Sequence, residues 1–267
     1  MKAKMILLTI VFTSLFSDIS AHHTGDHSVT LHLTNSYDEC AMFLDPSLTQ
    51  SAFREFVREV GPIIYFKPIS SARPLGKFNF DLGLEYQKTS PLEDYKSKWN
   101  DTFAHPDSDH YLVPDNHRLS LPLFHARMGV TDKMDMEMQF TKNFASNYGW
   151  VGGGLKYGFY YDAGSGLAGA ARTNYSSMLG VSDLNYHHVG ADLLVSKDLW
   201  LFRPYAGVAF SLGYMIETTS KVNLKNETVT GFEGILGTEF VWKYLSIALE
   251  ADFAVINMYT FKVGGNF

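Results

Sequence analysis

Apolar and polar side chains alternate along most of the chain after residue 76. In residues 245–255 the odd-numbered positions are apolar, and the even-numbered ones are serine, alanine or acidic residues. Residues 77–87 repeat the alternation, with apolar side chains at the even positions, and residues 134–141 show it again. A period of two is that of a β-strand, whose successive side chains point to opposite faces. The pattern therefore predicts an all-β protein.

Counting these runs gives ten antiparallel strands. The predicted strands cover residues 76–87, 121–130, 134–143, 149–161, 167–178, 185–196, 200–216, 229–241, 245–255 and 258–267. An even number suits an up-and-down barrel that closes on itself. Residues 61–67 are rich in apolar side chains and could add a strand, so eight or twelve strands stay open as alternatives.

Three features favour a transmembrane barrel over a soluble sandwich. The apolar faces extend over about ten residues, the length of a tilted strand that crosses a bilayer. The opposite faces carry charges beside glycine, which suits a polar lumen. Aromatic residues lie near the predicted strand ends, where a membrane meets water. They are Tyr148, Trp150, Tyr160, Tyr161, Trp200, Phe202, Tyr214, Trp242, Tyr244 and Tyr259.

The N-terminus has the pattern of a secretory signal peptide. Lys2 and Lys4 precede an apolar run at residues 5–16, and Ala21 ends a small-residue cleavage site. Beyond it, no stretch reaches the roughly 20 apolar residues of a spanning helix. We therefore expect export, cleavage near Ala21, a periplasmic segment over 22–75 and an outer-membrane barrel over 76–267.

The connections between the predicted strands alternate in length. Those at 131–133, 162–166, 197–199 and 242–244 are short, whereas 89–120 and 217–228 are long and polar. Outer-membrane barrels place short turns in the periplasm and long loops outside. This assignment puts both ends of the barrel in the periplasm.

A short helix is predicted before the barrel. Ser47 or Thr49 can cap it, it runs to about Val60, and Gly61-Pro62 is expected to end it. An apolar stripe follows the helical period. Its residues are Phe53, Phe56, Val57 and Val60. The helix could be a plug or lid inside the lumen, or it could lie on the periplasmic rim or the membrane surface.

Composition disfavours or excludes several classes of partner and site. Of the residues, 46% are hydrophobic and only 19% are charged, and the formal net charge is -6. A nucleic-acid partner is disfavoured because such proteins present basic surfaces. Cys40 is the single cysteine, which excludes an intrachain disulfide and a multi-cysteine zinc site. No cofactor and no metal site are predicted.

The last predicted strand ends the chain at Phe267. A terminal strand that ends in phenylalanine resembles the signal read by the barrel-insertion machinery of bacterial outer membranes. Residues 53–86, 121–130 and 203–208 are similar to uncharacterised proteobacterial outer-membrane β-barrel proteins. The resemblance implies an outer-membrane location with lipid and the insertion machinery as partners. It implies no known activity.

Charged residues fall on the predicted inward faces. We expect one network whose basic members are Arg203 and Lys262; its acidic members are Glu233, Glu239, Glu250 and Asp252. Further inward charges are Asp81, Glu85, Asp135, Glu137 and Asp192, with Arg127, Lys156 and Arg172. The network could fill a narrow barrel as structural ion pairs, or it could line a cation-preferring pore.

The leading functional hypothesis is a structural barrel or a passive channel for small solutes. The alternative is a cell-surface hydrolase that uses histidine and aspartate residues of the loops. Candidates for it are His105, His110 and His117 with Asp101, Asp107, Asp109 and Asp115, and the pair His187 and His188 beside Asp183. None matches a known catalytic motif, so no catalytic residue is assigned.

Overall fold

The computed structural model describes residues 43–91, 103–104, 118–142 and 148–267. The predicted signal peptide and most of the loop histidines lie outside these ranges. One helix, α1, covers Gln50–Ile64, and β1 (Phe43–Leu44) pairs with β3 (Phe103–Ala104) in a small separate sheet. The remaining strands are β2 (Phe80–Thr89), β4 (Ser120–Gly129), β5 (Met134–Lys142), β6 (Gly149–Asp162), β7 (Leu167–Leu179), β8 (Leu184–Lys197), β9 (Phe202–Glu217), β10 (Glu227–Trp242), β11 (Leu245–Phe253) and β12 (Met258–Asn266).

These ten longer strands form a closed antiparallel barrel. Each strand pairs with its neighbours along the chain, and β12 closes the barrel on β2 with Phe261 opposite Tyr86. Closure removes the free sheet edges that would otherwise invite aggregation. The predicted ten-stranded fold is confirmed.

The strand faces follow the predicted alternation. On β11, Leu249 is 54% exposed on the outer wall, whereas Ala248 and Glu250 face the lumen and are buried. A soluble sandwich buries its apolar face. This barrel exposes it and buries charge, which is the architecture of outer-membrane β-barrels.

Several predicted boundaries extend too far into turns. β2 begins at Phe80 rather than at residue 76, because Gly76 and Phe78 have φ values of +85° and +65°. Trp200 lies in the turn before β9, with φ +58°. Apolar aromatic residues near the barrel rim continue the alternation past the strand ends. Trp150 is predicted to lie at the membrane–water boundary, but its side chain is buried in the barrel, with only 3% exposure.

Helix α1 begins after Thr49, whose side chain accepts a hydrogen bond from the Ala52 amide at 3.3 Å. It does not end at Gly61-Pro62 as predicted, because Pro62 removes only one donor within the last turn. The Tyr65 amide still donates to the Gly61 carbonyl at 2.9 Å, and Ile64 is buried. Within the described ranges, no helix is long and apolar enough to span a membrane.

The chain after α1 passes through the lumen. At the end with the long connections, Gln50 donates to the Lys225 carbonyl at 3.0 Å and Arg54 pairs with Glu227. At the end with the short turns, the Leu75 amide donates to Asp135 at 3.1 Å. Residues 50–75 therefore lie in the barrel, not in a separate periplasmic segment as predicted. Of the two interpretations of the helix, the structure shows the one inside the lumen.

Candidate functional site

The candidate site is the lumen together with the chain that fills it. We call α1 and residues 65–75 the plug. Backbone amides of the plug donate to carboxylates of the wall. Ile69 donates to Glu250 Oε2 at 2.9 Å, and the hydroxyl of Ser71 donates to Glu239 Oε2 at 2.7 Å. Charged acceptors make such hydrogen bonds roughly twice as strong as neutral ones.

Tyr65 holds the upper part of the plug, nearest to α1. Its phenol donates to Asp192 Oδ2 at 2.5 Å. Arg172 also bonds Asp192, at 3.0 Å, so the two groups share one carboxylate.

Basic residues of the wall bind plug carbonyls. Arg172 donates to the Phe66 carbonyl and, at 3.1 Å, to the Lys67 carbonyl. Lys156 donates to Ser70 Oγ at 3.0 Å and to the Ser71 carbonyl at 3.2 Å. The plug is thus held on both its amide and its carbonyl groups, by side chains from opposite walls.

Two glycines of the wall have no side chain where the plug passes, and this leaves space for the plug. A Cβ atom at Gly190 would lie 2.4 Å from the Tyr65 ring, and one at Gly158 would lie 2.4 Å from the Pro74 ring. Real Cβ atoms do not approach other atoms so closely. Glycine is therefore required at both positions while the plug is in place.

Ion pairs connect much of the wall. Arg127 lies 3.8 Å from both Asp81 and Glu239. Lys156 lies 3.6 Å from Asp135 and from Glu137. Further pairs include Arg172 with Glu137 at 2.9 Å, Lys262 with Asp81 at 3.0 Å, and His125 with Glu85.

The predicted network is only partly assembled. Arg203 lies 3.8 Å from Glu239, but it is 22% exposed and also lies 3.4 Å from Asp198. Lys262 pairs with Asp81, a residue outside the predicted set. Glu250 accepts hydrogen bonds from Tyr205 and Ile69 instead of pairing with a base.

Glu233 and Asp252 face the lumen and are buried at 1% and 0% exposure. All four of their carboxylate oxygens lack a hydrogen-bond partner among the described residues. The predicted pairing of these two carboxylates with Arg203 or Lys262 is therefore not found in the structure.

The network predicted from the sequence lacks the residues that are its main basic members in the structure. Arg127, Lys156 and Arg172 occupy predicted inward positions, and their regular spacing placed them correctly in the lumen. Their role as the main basic members depends on cross-strand register and on the plug, neither of which a period of two determines.

The hydrolase candidates do not come together in the described residues. His188 is buried in the lumen, whereas His187 lies on the other face and its Nδ1 lies 2.7 Å from the Tyr175 hydroxyl. Asp183 accepts from the Leu44 amide at 3.1 Å. His105, His110 and His117 and their aspartates lie outside the described ranges. No group of three His, Cys, Asp or Glu residues within those ranges could hold a metal ion.

Phe267 lies at the barrel seam. Its amide donates to the Phe80 carbonyl at 2.8 Å, and the Phe80 amide donates to the Phe267 carbonyl at 3.0 Å. Its side chain is 58% exposed. The insertion signal predicted at this residue stays a prediction.

Known proteins similar to this chain include solved β-barrel and outer-membrane proteins. No protein-family model and no curated protein matches the chain. Among solved structures, the N-terminal β-barrel domain of OprF from Pseudomonas aeruginosa matches 72% of this chain and 99% of its own, at 12% identity and a TM-score of 0.30. An outer-membrane channel from Pseudomonas putida F1 matches 76% of this chain and all of its own, at 12% identity and a TM-score of 0.42. OprG, an outer-membrane protein of Pseudomonas aeruginosa, matches 73% of this chain and 99% of its own, at 11% identity and a TM-score of 0.29.

Proposed function

We propose that the protein is a bacterial outer-membrane β-barrel whose lumen is closed at rest by its own plug. In this proposal it is a structural barrel in its resting state, and small solutes pass only when the plug moves. The series of hydrogen bonds between the wall and the chain from Tyr65 to Leu75 carries the proposal. Segments of the chain resemble uncharacterised proteobacterial outer-membrane barrels, and we infer that it belongs among them.

The outer wall supports the membrane location. Large apolar side chains are exposed on strands all around the barrel, including Met138, Phe159, Leu193, Phe210 and Phe253. Exposing so much apolar surface to water would be costly, at about 25 cal/mol per Å². The predicted signal peptide supports export. Fractionation tests the location: we expect the protein with the outer membrane and a gel shift on boiling, and recovery in the soluble periplasm would contradict the proposal.

The plug determines how the barrel can conduct. Backbone amides, backbone carbonyls and side chains of residues 65–75 are bonded to wall side chains on β5, β6, β7, β8, β10 and β11. Passage of a solute requires several of these bonds to break together. We therefore expect wild-type protein in planar bilayers to show rare openings or none.

A double variant tests the closed state. Tyr65→Phe with Ser71→Ala removes two side-chain hydrogen bonds from the plug and leaves the ion pairs of the wall in place. We expect this variant to open more often than wild type. A stable open conductance in the wild type would contradict the closed lumen.

A disulfide lock provides the matched control. The Ala72 amide lies 3.1 Å from Ser196 Oγ, so cysteines at these two positions should bridge the plug to β8. Ala72→Cys with Ser196→Cys, in a Cys40→Ser background, is expected to abolish openings until a reductant is added. If openings persist in the oxidised form, the conducting path does not depend on the plug.

A further inference from the structure

A groove crosses the outer wall where β10, β11, β12 and β2 lie side by side. It has a volume of about 560 Å³. It lies over the seam of the barrel, because β12 pairs there with β2. Two rows of side chains line the groove, and within each row the residues are directly opposite one another on neighbouring strands. From β2 to β10, the first row is Lys88, Tyr259, Ala251 and Leu236, and the second is Tyr86, Phe261, Leu249 and Thr238.

Ala251 is the short side chain at the centre of the first row. Its neighbours in that row, Tyr259 and Leu236, are large and exposed, and so is Leu249, two residues away on the same face. The methyl group of the alanine therefore lies below the tips of the side chains around it. In a bilayer an unfilled recess would forfeit dispersion contacts, so we expect an acyl chain to lie over Ala251.

Lys88 lies at the β2 end of the first row. It is the next-to-last residue of β2, near the rim that carries the long connections, and it is on the outer face because Gln87 and Thr89 are buried in the lumen. The ion pairs of the described part of the chain do not include its ammonium group. A lysine at such a place can lay its aliphatic stem along apolar surface while its charge reaches the lipid headgroups. Lysine binds the phosphate of a headgroup as a point charge.

A second alanine of the outer wall has similar neighbours but no lysine. Ala171 on β7 lies between Tyr157 and Leu193, much as Ala251 lies between a tyrosine and a leucine. Its row contains no charged side chain from β5 to β9. The row is Met134, Tyr157, Ala171, Leu193 and Val208. The groove at the seam is therefore distinguished by the base beside the recess, and Ala171 provides a matched control.

We propose that the groove binds one membrane lipid that carries a phosphate group, with an acyl chain over Ala251 and the phosphate at Lys88. The chain and the charge are recognised by different strands, so the bound lipid spans the seam between β2 and β12. The site rests on the proposed membrane location. It is not implied by that location, because a wall that faces lipid does not need to prefer any one lipid.

Native mass spectrometry of the detergent-purified protein tests the site with three probes. They are phosphatidylglycerol, diacylglycerol with the same acyl chains, and glycerol phosphate. We expect one saturable phosphatidylglycerol per barrel, bound about fivefold more tightly than diacylglycerol, which is the contribution of one lysine near a lipid headgroup. Equal binding of the two lipids would overturn the proposal. Glycerol phosphate that binds as tightly as phosphatidylglycerol would show that the acyl chain adds nothing, and a lipid-free dimer that occupies the groove would assign it to a second copy of the barrel. Either result would also overturn the proposal.

Variants locate the lipid on the outer wall. Lys88→Gln should remove the preference for phosphatidylglycerol over diacylglycerol, and Ala251→Phe, which fills the recess, should weaken the binding of both lipids. Lys197→Gln and Ala171→Phe are the matched controls and should behave as wild type.

The gel shift on boiling shows whether each variant folds. If Ala251→Phe does not fold, Ala251→Leu is the smaller substitution that fills the same recess. A preference that persists in Lys88→Gln, or wild-type binding after the recess is filled, would overturn the assignment even where fractionation places the protein in the outer membrane.

Discussion

Lys262 forms its ion pair with Asp81, at 3.0 Å, although the residue directly opposite it on β2 is Glu85. Glu85 is bonded to His125 from β4 on its other side. The Lys262 side chain therefore extends along the lumen towards Asp81, which it reaches across the seam where the last strand closes on the first. Both side chains are buried at 0% exposure.

Removal of the lysine charge should destabilise the seam. In Lys262→Met the Asp81 carboxylate keeps only the more distant Arg127, at 3.8 Å. Breaking one partner of a buried ion pair costs roughly 3–5 kcal/mol, and we expect the lower end of that range because Arg127 stays. Urea unfolding in detergent micelles measures the loss. Lys197→Met on the exposed face of β8 is the control and should stay within about 0.5 kcal/mol of wild type.

The two faces of β11 should respond differently to substitution. Leu249 lies at the middle of the strand and 54% of it is exposed on the outer wall, so Leu249→Arg should cost about 2–4 kcal/mol in a bilayer. Ala248→Ser places a hydroxyl in the polar lumen and should cost much less. Unfolding of the reconstituted protein compares them. Similar losses would mean that the outer wall does not contact lipid.

The Tyr65 hydroxyl should contribute measurably to the attachment of the plug. Tyr65→Phe removes a buried donor to a charged acceptor, a kind of hydrogen bond worth about 1.5–3 kcal/mol. Limited proteolysis of the folded protein, with cleavage in residues 65–75 as the readout, reports how often the plug leaves. We expect faster cleavage in Tyr65→Phe. Tyr157→Phe on the outer wall of β6 should leave the rate unchanged, and equal rates in both variants would contradict the attachment.

The sequence predicted the strands of the barrel better than it predicted the plug and the ion pairs inside the lumen. A period of two assigns each side chain to the lumen or to the outer face, and residues such as Leu249 and Glu250 lie where it placed them. It also extended β2 to residue 76, because Phe78 continues the alternation within a turn.

The path of the plug and the ion pairs in the lumen depend on contacts between distant parts of the chain. Residues 65–75 show no strand or helix period, so their path was not visible in the sequence. The glycines at 158 and 190 were signals of a close approach, but the partners Pro74 and Tyr65 emerge only from the fold. The predicted network omitted Arg127, which lies 3.8 Å from Glu239, for the same reason. Several strands carry a basic residue at an inward position. Which of these residues joins the ion-pair network depends on the strand register and on the path of the plug.

The orientation of the plug predicts which part of the N-terminal region is accessible outside the cell. Residue 47 lies before α1, whose start contacts Lys225 and Glu227 at the end with the long connections. Long loops face outward in such barrels, so Ser47 should be outside and Ser165, in a short turn, should face the periplasm. The two serines are well matched, because each is exposed and donates to a nearby aspartate at 2.6 Å. In a Cys40→Ser background, a membrane-impermeant maleimide should label Ser47→Cys in intact cells and Ser165→Cys only after the outer membrane is permeabilised. The opposite labelling pattern would reverse the orientation, and labelling of Ser47→Cys only after permeabilisation would contradict entry of the plug from the outer end.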